Sequence, residues 1–264
     1  MLPPRLGTVK PESLSSPLTA PQVGPRTLVL PTQNGVDTPV RLAVLLGSPE
    51  HVLGGYTRVT SLLTAPGHVS HVAVHPVLQG AGLLPTTGAW AAEELRRCSA
   101  AFDGCPHIKL CVEADIQRGM WRKLVILATF STVCCVSRCP LGPLMEAEAS
   151  REVIQQCMAE CAAVAKACGS EMSAEDVESC FAQLQRLPYG CTPSLQRDYM
   201  DGRPSELHSQ TGAVVRLGRE HGVPTPLLAA MYALLLPNEL RNRGTLSWPD
   251  ITDEGKEPQH SVSH

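Results

Sequence analysis

The sequence predicts a mixed fold, with a partial α/β sheet first and an all-α region after it. Short apolar runs alternate with turn signals up to residue 112, and every later segment has a helical period. A chain of 264 residues with 43% hydrophobic residues can bury one large core or two smaller ones. We therefore expect an α/β domain at 1–112, a helical domain at 113–246 and a disordered tail at 247–264.

Composition narrows the class of protein. A net charge of −3 and a pI of about 6.3 argue against a nucleic-acid-binding surface. The N-terminus has neither an apolar signal segment nor an Arg/Ser-rich amphipathic pattern, and we expect no window apolar enough to cross a bilayer. These patterns predict a cytoplasmic protein without nucleic-acid or membrane partners.

Cysteine and histidine patterns leave a metal site as the weaker alternative. None of the eleven cysteines forms the paired CxxC spacing of a zinc ribbon. Cys157 and Cys161 share one predicted helix face and could bind a metal, but small hydrophobes in a reduced core are the favoured interpretation. His68, His71 and His75 cannot all lie on one strand face, because only residues an even number apart do so. We predict no metal.

The first predicted unit is a strand, a turn and a helix. An apolar run at 26–31 indicates a buried strand, and Gln33–Gly35 is a turn signal. Thr38 followed by Pro39 is typical of a helix N-cap with proline at the first helical position, so a helix is expected over 38–46. Polar residues therefore follow the carboxyl end of a strand, where open α/β sheets bind ligands.

The rest of the α/β region contains three more strands and one helix. Strands are expected at 52–59, 68–77 and 107–112, with a turn at 65–67 joining the first two. Residues 86–103 have the pattern of an amphipathic helix.

The helical region begins with the segment Asp115–Pro140, which is apolar almost all round from Leu124 onward. Such a helix packs among other helices. Lys123 is the last cation before the apolar run, so burial would lower its pKa and make it a usable proton donor. The alternative is a lysine whose stem covers apolar surface while its ammonium stays in water. Further helices are expected at 146–168, after a capping box at Ser173–Asp176, from Ser194 onward, and at 227–240.

Four blocks of sequence resemble the ketopantoate reductase family (2-dehydropantoate 2-reductases), over about Thr8 to Arg243. These blocks are TLVLPTQNGVDTPVRLA (27–43), the Trp121–Leu124 segment, the Cys139–Gly142 turn, and SLQRDYMDGRPSELHSQTGAVVRLGREHGVPTP (194–226). The resemblance implies a partial Rossmann-like sheet followed by the helical C-terminal domain of that family. It also implies NADPH-dependent reduction of a small 2-keto acid, pantothenate biosynthesis as the context, and a homodimer through the helical domain.

The resemblance also implies site residues. Lys123 falls on the family lysine that donates a proton to the forming alkoxide, a role that also stabilises the developing charge. Glu206 falls on the family glutamate that holds the lysine or the cofactor. Asn34 falls on the asparagine that faces nicotinamide and substrate, and Lys10 on a cofactor-binding lysine.

Two serines complete the expected substrate site. Ser194 falls on the family serine that donates a hydrogen bond to the substrate carboxylate. Ser131 and Leu127 stand where the family has two asparagines directed at the substrate, so Ser131 is the expected contact and Leu127 is a departure. Leu141 and His208 replace a further asparagine and an aspartate. Apolar groups at such positions weaken discrimination for a hydroxylated keto acid.

The phosphate-binding fingerprint G-x-G-x-x-G is absent from the 264 residues, and no helix is predicted after Gly54-Gly55. We expect the first half of the dinucleotide fold to be missing, through an incomplete gene model or a real truncation. Two functions stay open: an impaired NADPH-dependent reductase, and a non-catalytic remnant that acts as a helical dimerisation or binding module.

Overall fold

A computed structural model describes residues 23–248, without the side chains of residues 62–63 and 72–75. Lys10 and nearly all of the predicted tail at 247–264 lie outside the described residues. Two regions follow each other along this part of the chain, a small α/β region and a larger helical region. This is the mixed fold that the sequence predicts.

The α/β region contains a three-stranded sheet in the order β1-β2-β3, with β1 and β2 antiparallel and β2 and β3 parallel. A helix packs beside β3, and its Leu95 is 2% exposed in a small apolar core. The elements are α1 (Thr38–Leu46), a 3₁₀ turn (Pro49–His51), β1 (Gly54–Ala65), β2 (His68–Gly82), α2 (Ala91–Ala101) and β3 (Ile108–Val112).

Three local predictions in this region were wrong in detail. The predicted strand at 26–31 forms one isolated parallel bridge, between Val29 and Val52. The β1–β2 hairpin extends beyond both predicted strands, because backbone pairing continues through residues without an apolar pattern. The N-cap of α1 is Asp37, and Thr38 is already helical.

The helical region is organised around α3, which packs against helices on several sides and against β1. Its Leu124, Val125 and Ala128 are at most 1% exposed in a core of 22 buried residues. The elements are α3 (Ile116–Ser137), α4 (Leu141–Glu146), α5 (Glu148–Ala167), α6 (Ala174–Gln185), α7 (Ser194–Met200), α8 (Thr211–Glu220) and α9 (Pro226–Asn242).

The length and apolar composition of α3 contradict the expectation that no segment could cross a bilayer. Ile116–Ser137 is long and apolar enough to cross a membrane by those two criteria, although we expected no such window. The fold buries 72% of that window, and burial of this extent is what the core helix of a soluble domain shows. A single helix of this kind is weak evidence for a membrane span.

Local signals in the helical region are confirmed where the structure describes them. The Ser173 side chain accepts from the backbone N–H of Asp176, and the Asp176 carboxylate accepts from the backbone N–H of Ser173, so the capping box is present. Cys157 and Cys161 are both 0% exposed in the core, and burial raises the pKa of Cys157 to about 12. Among the described side chains, which leave out that of His75, no three His, Cys, Asp or Glu residues are grouped to hold a metal, and the absence of a metal stays a prediction.

The predicted domain boundary at 112/113 falls between the end of β3 and the start of α3. The two regions touch across it, since α3 packs against β1 and β2. Independent folding of the two regions stays a prediction.

Candidate active site

Lys123 is placed by the first turns of α3. The Asp115 side chain caps this helix by accepting a hydrogen bond from the backbone N–H of Arg118 at 2.9 Å. Lys123 follows on the same helix, partly buried where α3 faces the sheet. Its Nζ donates to the backbone carbonyl of Thr57 in β1, at 2.5 Å.

The environment of Lys123 makes it a weaker base than a free lysine. The pKa of Lys123 is lowered from 10.5 to about 8, chiefly because burial disfavours the charged form; the charge of Glu206 opposes this shift and that of Arg58 adds to it. An ammonium with a pKa near 8 is still largely protonated at neutral pH, and it gives up its proton more readily than an ordinary lysine does. The desolvated lysine is favoured over the fully hydrated alternative.

Glu206 and Asn34 meet across the two regions of the chain. Asn34 Nδ2 donates to Glu206 Oε2 at 2.8 Å, and Gln210 Nε2 donates to the same oxygen at 2.8 Å. The charge of Glu206 acts on Lys123 in turn. Three of the predicted site residues, Lys123, Glu206 and Asn34, are therefore brought together.

The turn that presents Asn34 depends on the glycine that follows it. Gly35 has a φ of +113°, which side chains rarely adopt, and a Cβ there would lie 3.2 Å from the carbonyl oxygen of Ser209. Two residues on, Asp37 forms an ion pair with Arg216 of α8 at 3.0 Å. The turn is therefore held against the helical region by both Asn34 and Asp37.

The two predicted substrate serines lie elsewhere in the structure. Ser194 is exposed at the start of α7. This helix contacts the later half of α3, where Gln196 Nε2 donates a hydrogen bond to the carbonyl of Cys134 at 2.9 Å. Cys134 is eleven residues beyond Lys123, which is about 16 Å along a helix. Ser131 is 1% exposed inside the helical core. Their contact with substrate stays a prediction.

The two other departures from the family pattern have structural roles. Leu141 is 2% exposed, and its backbone N–H donates to the carbonyl of Cys191 at 3.0 Å. The ring of His208 pairs with the hydroxyl of Tyr232 at 2.9 Å and with Arg216 at 3.1 Å.

Sequence reasoning missed Thr57, Arg58 and Gln210. Thr57 acts through its backbone carbonyl, which no residue type reveals. Gln210 had a usable signal, because it lies four residues after Glu206 and therefore on the same side of a helical turn. Arg58 could have been noticed as a cation within a predicted strand, although nothing in the sequence relates it to Lys123.

A cavity of about 440 Å³ borders this site on the side of α9. It includes Glu206 and two arginines, Arg41 and Arg243, but neither Lys123 nor Asn34. Arg243 is neutralised by Glu239, with Nε and Oε1 2.6 Å apart. The cavity therefore adjoins the candidate site without containing its lysine.

Two family models match the chain. The model described as ketopantoate reductase PanE/ApbA matches residues 8–82, and the model of its C-terminal domain matches residues 115–239. Together they cover most of the chain, including Lys123, Glu206 and Asn34. The chain belongs to the ketopantoate reductase family.

Individual relatives agree with this assignment. A 2-dehydropantoate 2-reductase of Caulobacter vibrioides is 28% identical over 218 residues, covering 81% of this chain and 69% of the relative. The structure of 2-dehydropantoate 2-reductase from Methylococcus capsulatus is 26% identical, with a TM-score of 0.68 over 81% of this chain and 70% of that one. A D-mandelate dehydrogenase solved with NADH and anilino(oxo)acetate has the same fold, at 19% identity and a TM-score of 0.74 over 85% and 71% of the two chains.

Proposed function

We propose that this protein reduces 2-dehydropantoate, or a related 2-keto acid, to the 2-hydroxy acid with NADPH as the hydride donor. The observation that supports this most directly is the convergence of Lys123, Glu206 and Asn34. Each falls on a functional position of the family, and they come from three separate segments of the chain.

The residues present fit the nicotinamide end of the cofactor. Asn34, in the turn before α1, offers an amide, and Glu206, between α7 and α8, offers a carboxylate. Gln210 has a buried side-chain oxygen without a partner among the described residues. Amide and carboxylate oxygens there would accept hydrogen bonds from a carboxamide or from ribose hydroxyls. The 264 residues contain no G-x-G-x-x-G loop that could bind the pyrophosphate, so we assign no residues to the pyrophosphate.

When bound, the cofactor would supply a hydride to the keto carbon. Lys123 would meet the carbonyl oxygen, stabilise the negative charge that develops there and transfer a proton to it, giving the hydroxyl group. The neutral amine would then regain a proton from water. The Thr57 carbonyl engages one ammonium hydrogen and leaves two others for the substrate oxygen.

A turnover assay with 2-dehydropantoate and NADPH tests the proposal, and Lys123→Ala is the decisive variant. We expect kcat to fall about 10²- to 10⁴-fold, because the proton donor is lost. Lys166→Ala, which removes an exposed lysine on α5, is the matched control and should leave kcat unchanged.

The same assay separates the enzyme from the alternative. If the wild-type chain neither turns over 2-dehydropantoate nor binds NADPH by calorimetry, the helical dimerisation or binding module becomes the better interpretation. Cytoplasmic location and a homodimer through the helical region also stay predictions. Light scattering of the purified chain checks the dimer.

A further inference from the structure

Arg58 lies on the face of β1 that is turned toward α3. Tyr56 and Arg58 are two residues apart on this strand and therefore share a face. Tyr56 packs directly on α3, since a Cβ on Gly119 would lie 2.8 Å from Tyr56 Cε1. Because glycine has no side chain, position 119 allows the strand to approach the helix closely.

The contact between Lys123 and β1 brings Arg58 close to the lysine. Thr57, between the two strand residues, supplies the carbonyl that accepts from Lys123 Nζ. The positive charge of Arg58 also acts on Lys123.

Arg58 has no acidic partner in the part of the chain that the structure describes. Its guanidinium carbon lies over the Tyr56 ring, 5.3 Å from the ring centroid. The nearby acids are already occupied. The Glu113 carboxylate accepts from the Tyr56 hydroxyl, and Asp176 pairs with two arginines of α3.

We propose that Arg58 binds the carboxylate of the 2-keto acid and so determines the specificity of this chain for acids. The inference rests on the proposed function. The carboxylate of a 2-keto acid is bonded directly to the keto carbon, so a lysine at the keto oxygen requires the carboxylate-binding group beside it. Arginine offers paired donors that match a carboxylate, whereas Leu127, where the family has an asparagine, offers none.

The test compares 2-dehydropantoate with its carboxamide, which keeps the keto group and loses the charge. For Arg58→Met we expect KM for the acid to rise about 10- to 100-fold, because hydrogen bonds to a charged group are lost. The KM for NADPH should stay unchanged, and the preference for acid over carboxamide should disappear. Arg58→Lys keeps the charge without the planar fork and should restore part of that preference.

Arg97→Met is the matched control, since Arg97 is 64% exposed on α2 and pairs only at the surface with Glu94, at 3.2 Å. Retention of the acid preference in Arg58→Met, with normal turnover by the wild type, would overturn the role of Arg58 and leave the proposed function intact.

Calorimetry with 2-dehydropantoate covers the case in which the wild type shows no turnover. Binding that is present in the wild type and lost in Arg58→Met would support Arg58 and refute the reductase. Equal binding by both proteins, or no binding by the wild type, would refute Arg58.

Discussion

The helical region and the α/β region differ most in how much apolar surface each one buries. The main helical core contains 22 buried residues, whereas the core of the α/β region contains five. The α/β region also exposes apolar side chains on its hairpin, such as Val69 at 67%. We infer from this difference that the helical region is the more stable of the two, and that the sheet relies on its contacts with α3 to hold the site.

The largest expected effect tests this difference with one substitution made in each core. Leu184 of α6 is 0% exposed in the helical core, and Leu95 of α2 is 2% exposed in the small core. We expect Leu184→Ala to lower the free energy of unfolding by about 4 kcal/mol and Leu95→Ala by about 2 kcal/mol, because a small core relaxes more easily around a cavity. Urea denaturation measures both. An equal or larger loss for Leu95→Ala would remove the contrast.

The next effect concerns the cost of burying Lys123 between the two regions. Because the pKa of Lys123 is about 8 in the folded protein and 10.5 when unfolded, the unfolded chain binds the extra proton between these values. The destabilisation is complete below pH 8, shrinks as pH rises and is absent above about 10.5. Lys123→Met should therefore raise the free energy of unfolding by about 1–3 kcal/mol at pH 7.

Denaturation at pH 7 and at pH 10 checks that sign. The gain from Lys123→Met should be clearly smaller at pH 10, while Lys166→Met should show no such dependence. A gain of equal size at both pH values would mean that packing of the new side chain, and not the buried charge, is responsible.

The smallest expected effect measures the contact between the regions directly. A double-mutant cycle of Asn34→Ala and Glu206→Ala should give a coupling energy of about 1 kcal/mol, which is typical of a hydrogen bond to a partly buried carboxylate. Chemical denaturation of the four proteins gives this value. Additive effects would show that the two residues act independently and that the site is held together by other contacts.

Much of the fold could be predicted because its signals are local. The capping box at Ser173 and the apolar run after Lys123 depend on residues a few positions apart, so they identify helices without tertiary information. The far ends of the β1–β2 hairpin and the single bridge at Val29 could not be predicted, because backbone pairing with a partner strand determines where they end. Short helices such as α4 are stabilised by packing and not by a pattern of their own.

The site was predictable only in part. The resemblance identified Lys123, Glu206 and Asn34, and the structure brings these three together. It could not reveal that Ser131 is enclosed in the core or that Arg58 lies beside the lysine. The first fact depends on how the other helices pack around α3. The second depends on how the face of β1 meets α3, a contact between residues more than sixty positions apart.

The Lys123 amine is bound by a main-chain oxygen, the carbonyl of Thr57. Substitution of the Thr57 side chain therefore does not remove the acceptor. Replacing the side chain of Thr57 leaves the carbonyl in place, so position 57 can vary without releasing the amine. Position 123 has no such freedom, because a shorter or uncharged side chain loses the contact. Protein engineering that aims to change the pKa of Lys123 should therefore reshape the path of β1, for example with an inserted residue, and leave the identity of residue 57 open.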